Sequence, residues 1–121
     1  MKVAAIALAI VMMGQTTAVQ YFKTGATILK EAGQWEKFSR GEDPDDLSAV
    51  SYFQGYVAGT LDAEGRPMRT PEGFTVAQAC AIVAKFLRDN PQRLHEPAAD
   101  LIKDALRKAY PAGGGSRSGR E

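Results

Sequence analysis

Cysteine and histidine, the side chains most able to act as nucleophile or general base, occur once each, as Cys80 and His95. Cys80 falls among the apolar positions of a helical pattern, where a free cysteine behaves as a small hydrophobic residue rather than a nucleophile. His95 lies between two predicted helices, with no serine or second cysteine spaced to pair with it. A structural role, bonding the backbone or capping a helix, is therefore favoured over general-base catalysis.

Carboxylates cluster at Asp43, Asp45 and Asp46 and could suit calcium. The ligand alternation and the later glutamate of an EF-hand loop are missing. The segment is instead typical of a helix start, with Asp43 as cap and Pro44 in the first helical position. Metalloprotease, phosphate-loop and nucleophile-elbow motifs do not occur in the sequence either. We therefore predict no catalytic residue, no metal, no cofactor and no enzyme activity.

Length and composition limit the number of domains, the disulfides and the charged partners that the chain can have. The chain has 121 residues, 15 Lys+Arg and 14 Asp+Glu, for a net charge of +1. This length predicts a single domain, and a lone cysteine excludes an internal disulfide. A chain with almost no net charge is not strongly attracted to nucleic acid or to anionic membranes. Arg117 and Arg120 near the end are too few for a nucleic-acid patch.

The first 18 residues are typical of a secretory signal peptide. A basic start, Met1-Lys2, is followed by an apolar run from Val3 to Met13 and by small residues ending at Ala18. The run is shorter than the roughly 20 residues that span a membrane. We expect cleavage after Ala18, export to the periplasm and no membrane segment afterwards. An uncleaved anchor or a buried first helix is the alternative.

Apolar spacing beyond the signal peptide predicts an all-α domain, residues 19–112, before a disordered tail, 113–121. Gly33 is expected to end the first helix, and 34–40 to form a short turn. Thr75 and Gln78 fit a capping box, and Pro97 opens the last helix. Residues 64–74 are predicted to be irregular. Four main helices are expected, at about 20–32, 44–63, 75–89 and 97–110.

Gly55, Gly59 and Ala63 repeat every four residues in the second predicted helix. Glycine inside a helix costs about 0.5–1 kcal/mol relative to alanine. Two such glycines on one stripe predict that another backbone, most simply a helix, packs closely there. The flanking acids Asp46 and Asp62 indicate a helix in water rather than in a membrane.

Three segments, 21–33, 55–63 and 70–111, together resemble the Rap/Tai-type immunity proteins of type VI secretion systems. The matching blocks recur in the family's order and spacing. At four places where family members carry cysteine, this chain has Ala32, Phe53, Arg69 and Ala112. The residues that carry the resemblance are Gly55, Tyr56, Val57, Gly59, Asp62, Ala63, Pro71, Gly73, Thr75, Asn90, Pro91, His95, Ala98, Ala99, Leu101 and Pro111.

The resemblance implies a periplasmic helical protein that binds and inhibits a peptidoglycan amidase effector, and so protects the producing cell. It also implies inhibition by occupying the enzyme's groove, and a possible homodimer. The four missing cysteines imply that two family disulfides are absent. Under this hypothesis seven motif residues are expected to hold the fold together: Gly55, Tyr56, Gly59, Asp62, Pro71, Gly73 and His95.

The connector between the second and third helices is the predicted surface for the effector. Loops on a rigid scaffold commonly carry function, and a methionine flanked by arginines suits an interface; an ordinary surface linker is the competing interpretation. Two other functions stay open, namely an exported helical protein with another envelope partner and a hydrolase using His95 and Asp62. The predicted contact residues are Glu64, Arg66, Met68, Arg69 and Glu72.

Overall fold

The structure, a computed structural model, describes residues 22–64 and 70–111. Within these ranges it contains four α-helices, one 3₁₀ turn and no strand, which confirms the all-α prediction. The predicted signal peptide and tail lie outside the described residues. The helices are α1 (Gly25–Ser39), α2 (Leu47–Glu64), α3 (Val76–Asp89) and α4 (Ala98–Ala109), and Pro91–Arg93 forms the 3₁₀ turn.

Helix α1 starts later and ends later than the sequence predicts. The Thr24 side chain accepts a hydrogen bond from the Thr27 amide at 3.4 Å and caps the helix at Gly25. The prediction that Gly33 ends the helix is wrong, because α1 continues to Ser39. Trp35 supplies the reason: its ring is buried and lies 5.9 Å from the Phe53 ring on α2. Burying that side chain outweighs the modest cost of one helical glycine.

Helix α2 begins three residues after the predicted position, because a side chain of α1 holds the preceding backbone. The Gln34 side-chain oxygen accepts hydrogen bonds from the Asp45 and Asp46 amides, at 2.6 and 3.0 Å. The Asp46 carboxylate in turn accepts from the Ala49 amide at 3.3 Å. Asp46, rather than the predicted Asp43, is therefore the acid that caps α2.

The starts of α3 and α4 agree with prediction. Thr75 and Gln78 form the capping box, with the Gln78 amide donating to Thr75 Oγ1 at 3.1 Å and the Thr75 amide to Gln78 Oε1 at 2.8 Å. Pro97 occupies the cap position of α4, as its fixed φ favours. These starts depend on neighbours close in sequence.

All four helices contribute apolar side chains to one core. Helices α1 and α2 run antiparallel, since the start of α1 lies beside the middle of α2 (Lys23 over Tyr56) and its end beside the turn before α2 (Lys37 with Asp45). None of the described residues that are buried is polar or charged. The largest fully buried side chains are Phe53, Ile28, Leu87, Leu101, Ile102, Leu106, Val57, Val83 and Cys80.

The start of α1 is fastened to the connector that precedes α4. The Gly25 and Ala26 amides donate to the Glu96 and Leu94 carbonyl oxygens, each at 2.9 Å, and the Ala98 amide donates to the Lys23 carbonyl at 3.0 Å. A Cβ on Gly25 would lie 2.9 Å from the Leu94 Cα. Only glycine permits this approach. The absence of a side chain at Gly25 lets the start of α1 lie against the connector at Leu94.

None of the helices in the described ranges is both long enough and apolar enough to cross a membrane.

Candidate functional site

The connector between α2 and α3 begins at a fixed residue. The Glu64 carboxylate, with a side chain only 16% exposed, forms ion pairs with Arg107 and, at 3.7 Å, with Lys103 on α4. Glu64 was predicted to contact the effector, and its side chain is turned toward α4. Arg66, Met68 and Arg69, at the centre of the predicted contact surface, lie outside the described residues.

The other end of the connector is also held. The Phe74 amide donates to the Pro71 carbonyl at 3.1 Å and closes a turn. Gly73 stands at its third position with φ of 80°, a conformation that glycine adopts without steric cost. The Phe74 ring packs edge-on against Tyr110, with centroids 5.4 Å apart. Pro71 and Gly73 therefore shape this turn, and Glu72 is exposed at its tip.

A groove of about 650 Å³ lies between α2 and this turn. Ala58 and Leu61 form its α2 wall, and Pro71 and Phe74 belong to the opposite wall. The Asp62 and Glu72 side chains also line it, and neither forms an ion pair with a described residue. The groove thus combines apolar walls with two acidic residues.

Two of the motif glycines, Gly55 and Gly59, have open space in front of them within the described part of the chain. Gly55 and Gly59 are exposed, and a Cβ built on either would meet no atom within 4 Å. The prediction that another backbone packs closely against this stripe is therefore not met by any described segment. Tyr56 is half-buried against the core, with the Lys23 ammonium 5.9 Å from its ring centroid. Asp62 is exposed on the same helix.

His95 is exposed in the connector before α4, and its side chain forms no hydrogen bond to a described residue. It lines neither of the two grooves, whereas Asp62 lines one. The hydrolase hypothesis required these side chains in one site. In the described part of the chain His95 and Asp62 therefore do not share a cleft.

Cys80 is fully buried on α3, and burial raises its thiol pKa to about 12. A thiol with this pKa stays protonated at neutral pH and is a poor nucleophile. Its place in the core agrees with the prediction. In the described part of the chain no three His, Cys, Asp or Glu side chains lie together in a way that could hold a metal ion.

Two of the four positions at which the sequence resemblance implies a cysteine in other members lie in the core. Ala32 and Phe53 are fully buried, on α1 and α2 respectively. Arg69 and Ala112 lie outside the described residues. At these two positions the core is filled by apolar side chains, and the Phe53 ring contacts Trp35.

An arginine also holds the connector before α4. The Arg93 guanidinium donates to both Glu96 oxygens, at 2.9 and 2.8 Å, and to Asp104 at 2.6 Å. These hydrogen bonds raise the pKa of Arg93 and lower the pKa of Glu96. Arg93 also lies 5.6 Å from the Phe86 ring centroid, so it joins α3, the connector and α4.

A second groove, of about 450 Å³, was not predicted from the sequence. It runs between α2 and α4 beside Gly59, Ala63, Ala99 and Lys103. The sequence signal at this place is the glycine stripe, whose spacing predicts close packing by another backbone. Tyr52, with 63% of its surface exposed, lies on the same side of α2 and was not singled out.

Comparison with known protein families gives one match. A family model described as Rap1a immunity proteins matches residues 24–112. The matched range starts at the capping residue of α1 and includes all four helices. No curated protein matches the chain.

Proposed function

The chain belongs to the Rap1a immunity protein family, and from this membership we propose that it binds and inhibits a peptidoglycan amidase effector of a type VI secretion system. The inhibitor protects the cell that produces it. The family match carries this proposal, because it spans nearly all of the residues that the structure describes. The fold supports it by offering a rigid scaffold and no assembled catalytic group among those residues.

Inhibition proceeds by binding, through the connector between α2 and α3. Its ends support this role: Glu64 is ion-paired to α4, and Phe74 packs on Tyr110. Fixed ends reduce the conformational entropy that a loop loses on binding. The contact residues in this proposal are Glu64, Arg66, Met68, Arg69 and Glu72.

The protein acts in the periplasm. The basic start and apolar run of residues 1–18 support export and cleavage after Ala18. This is also the compartment in which an amidase meets the cell wall. The active form is a homodimer, in keeping with the exposed and charge-poor side of α2.

A second candidate is an exported helical protein of the same fold that binds a different envelope partner. The replacement of all four family cysteines favours it, since Arg69 lies inside the proposed contact surface. The gene next to this one separates the two candidates: an amidase with a Cys-His site supports immunity, and a lone gene among phage functions supports the alternative.

Co-production in cells tests the proposal. The amidase encoded beside this gene is directed to the periplasm, where it lyses the host. We expect the full chain to prevent lysis, and a version without residues 1–18 to give no protection. Arg66→Glu with Arg69→Glu should abolish protection, whereas Lys30→Glu, on exposed α1 surface, should retain it. Lysis that continues at full rate beside the full chain would contradict the proposal.

A further inference from the structure

The last turn of α2 carries acidic side chains and no basic one. Asp62 and Glu64 lie at the end of a helix, where the backbone dipole places partial negative charge and disfavours carboxylates. Helix α2 also contains Gly59 shortly before its end, and glycine weakens a helix. The end of α2 therefore depends on cations that another part of the chain supplies.

Helix α4 supplies these cations. The Glu64 side chain is 16% exposed, and its carboxylate pairs with the Arg107 guanidinium and, at 3.7 Å, with the Lys103 ammonium. A carboxylate buried to this extent has little access to water that could replace a lost partner. Without Arg107, Glu64 would keep only the longer pair, so its side chain would turn toward solvent and the last turn of α2 would loosen.

The other end of the connector between α2 and α3 is attached to the same side of α4. The Phe74 ring packs edge-on against Tyr110, the residue that ends α4, with ring centroids 5.4 Å apart. Arg107 lies four residues after Lys103, and Tyr110 three residues after Arg107, so the three side chains follow one side of α4. Both ends of the connector are thus attached to one helix, at positions about one turn apart.

We propose that Arg107 and Tyr110 position this connector for the effector without contacting the effector themselves. Arg107 acts through Glu64 and Tyr110 acts through Phe74, and the two contacts together set the distance between the ends of the connector. A loop with both ends fixed loses less conformational entropy on binding than a loop with a loose end. The inference rests on the proposed function and adds the residues of α4 on which inhibition depends.

Limited proteolysis of the purified protein tests the two attachments without the effector. The connector offers trypsin one bond, Arg69–Thr70, because its other arginine, Arg66, precedes a proline. Arg107→Gln should accelerate cleavage of this bond about tenfold, since losing a hydrogen bond between charged groups shifts a local opening equilibrium by about that factor. Tyr110→Ser, which removes the other attachment, should also accelerate it. Arg107→Lys keeps the charge and should be cut nearly as slowly as the unsubstituted protein.

Lys108→Gln is the matched control for this experiment. Lys108 is the exposed neighbour of Arg107, it forms no ion pair with a described residue, and its substitution removes the same charge. Cleavage after Lys85, inside α3, reports global unfolding and should not rise in any of these variants. The inference is overturned if the Arg69–Thr70 bond is cut equally fast in Arg107→Gln and Lys108→Gln. It is also overturned if cleavage after Lys85 rises as much as cleavage in the connector.

Inhibition of the amidase encoded beside this gene tests the consequence for the effector. Arg107→Gln and Glu64→Gln should each raise the inhibition constant about tenfold, and the double variant should do little more than either, because both substitutions remove the same contact. Lys108→Gln should inhibit as well as the unsubstituted protein. If the unsubstituted protein inhibits and Arg107→Gln inhibits equally well, the inference alone is overturned. An unsubstituted protein that does not inhibit contradicts the proposed function, and the inference falls with it.

Discussion

The Gly25 amide donates a hydrogen bond to the Glu96 carbonyl oxygen at 2.9 Å, and this contact fastens the start of α1 to the connector before α4. A Cβ on Gly25 would lie 2.9 Å from the Leu94 Cα and 2.5 Å from the Leu101 Cδ1. The backbone at Leu94 cannot give way without breaking neighbouring hydrogen bonds. Gly25 is therefore a residue that the fold requires.

We expect Gly25→Ala to destabilise the protein by about 1–3 kcal/mol, the usual cost of overpacking a well-packed site. Urea unfolding followed by circular dichroism measures the change. Gly33→Ala is the control, since nothing lies within 4 Å of a Cβ there and alanine favours the helix. That variant should be as stable as the unsubstituted protein or slightly more so. Equal effects of the two substitutions would show that the approach at Leu94 is not tight.

The second prediction concerns Phe53, which is fully buried on α2. Phe53→Ala should lower the free energy of unfolding by about 3–5 kcal/mol, because it removes a large apolar side chain and leaves a cavity beside Trp35. Phe38→Ala, at a position 50% exposed, should change it far less. Thermal and urea unfolding provide the comparison. A small effect at Phe53 would mean that the stability of the disulfide-free core has another source.

The third prediction is a pH dependence at Glu96. Hydrogen bonding to Arg93 lowers the pKa of Glu96 below its ordinary value. A carboxyl with a lower pKa in the folded state stabilises the fold above its unfolded pKa, and this contribution disappears as pH falls through the folded pKa. Arg93→Met should therefore destabilise the protein most near neutral pH and progressively less in acid.

Urea unfolding at neutral pH and at several acidic pH values measures that difference. Lys30→Met, at an exposed position of α1, is the control and should show a difference that does not vary with pH. A difference for Arg93→Met that stayed constant across the range would show that the ion pair does not set the pKa of Glu96.

The fourth prediction concerns the thiol. Since burial raises the Cys80 pKa to about 12, the native protein should react very slowly with a disulfide reagent at mildly alkaline pH. In denaturant the same thiol should react at the rate of a free cysteine. Rapid labelling of the native protein, with its helical content intact, would mean that Cys80 is accessible and open to a chemical role.

Contacts between neighbours in sequence explain which parts of the fold could be predicted. The capping box at Thr75 and the start of α4 at Pro97 need only residues a few positions away. The boundaries of α1 and α2 depend on distant partners, since Gln34 binds the amides of Asp45 and Asp46. No local pattern indicates such a contact.

The site was less predictable than the fold. The spacing of Gly55 and Gly59 predicted that another backbone packs closely against α2, yet no described atom lies within 4 Å of a Cβ built on either glycine. Only the three-dimensional arrangement shows open space in front of both glycines and a groove beside them. The residues at the centre of the proposed effector surface lie outside the described ranges and stay predictions.

Inhibition of the effector in solution tests the central claim most directly. Release of peptide from purified peptidoglycan by the amidase encoded beside this gene is measured with increasing amounts of the purified protein. We predict loss of amidase activity at a stoichiometric ratio, with no turnover of peptidoglycan by the protein alone. An amidase that stays fully active at saturating amounts of the protein, or a turnover by the protein itself that His95→Ala abolishes, would contradict the account.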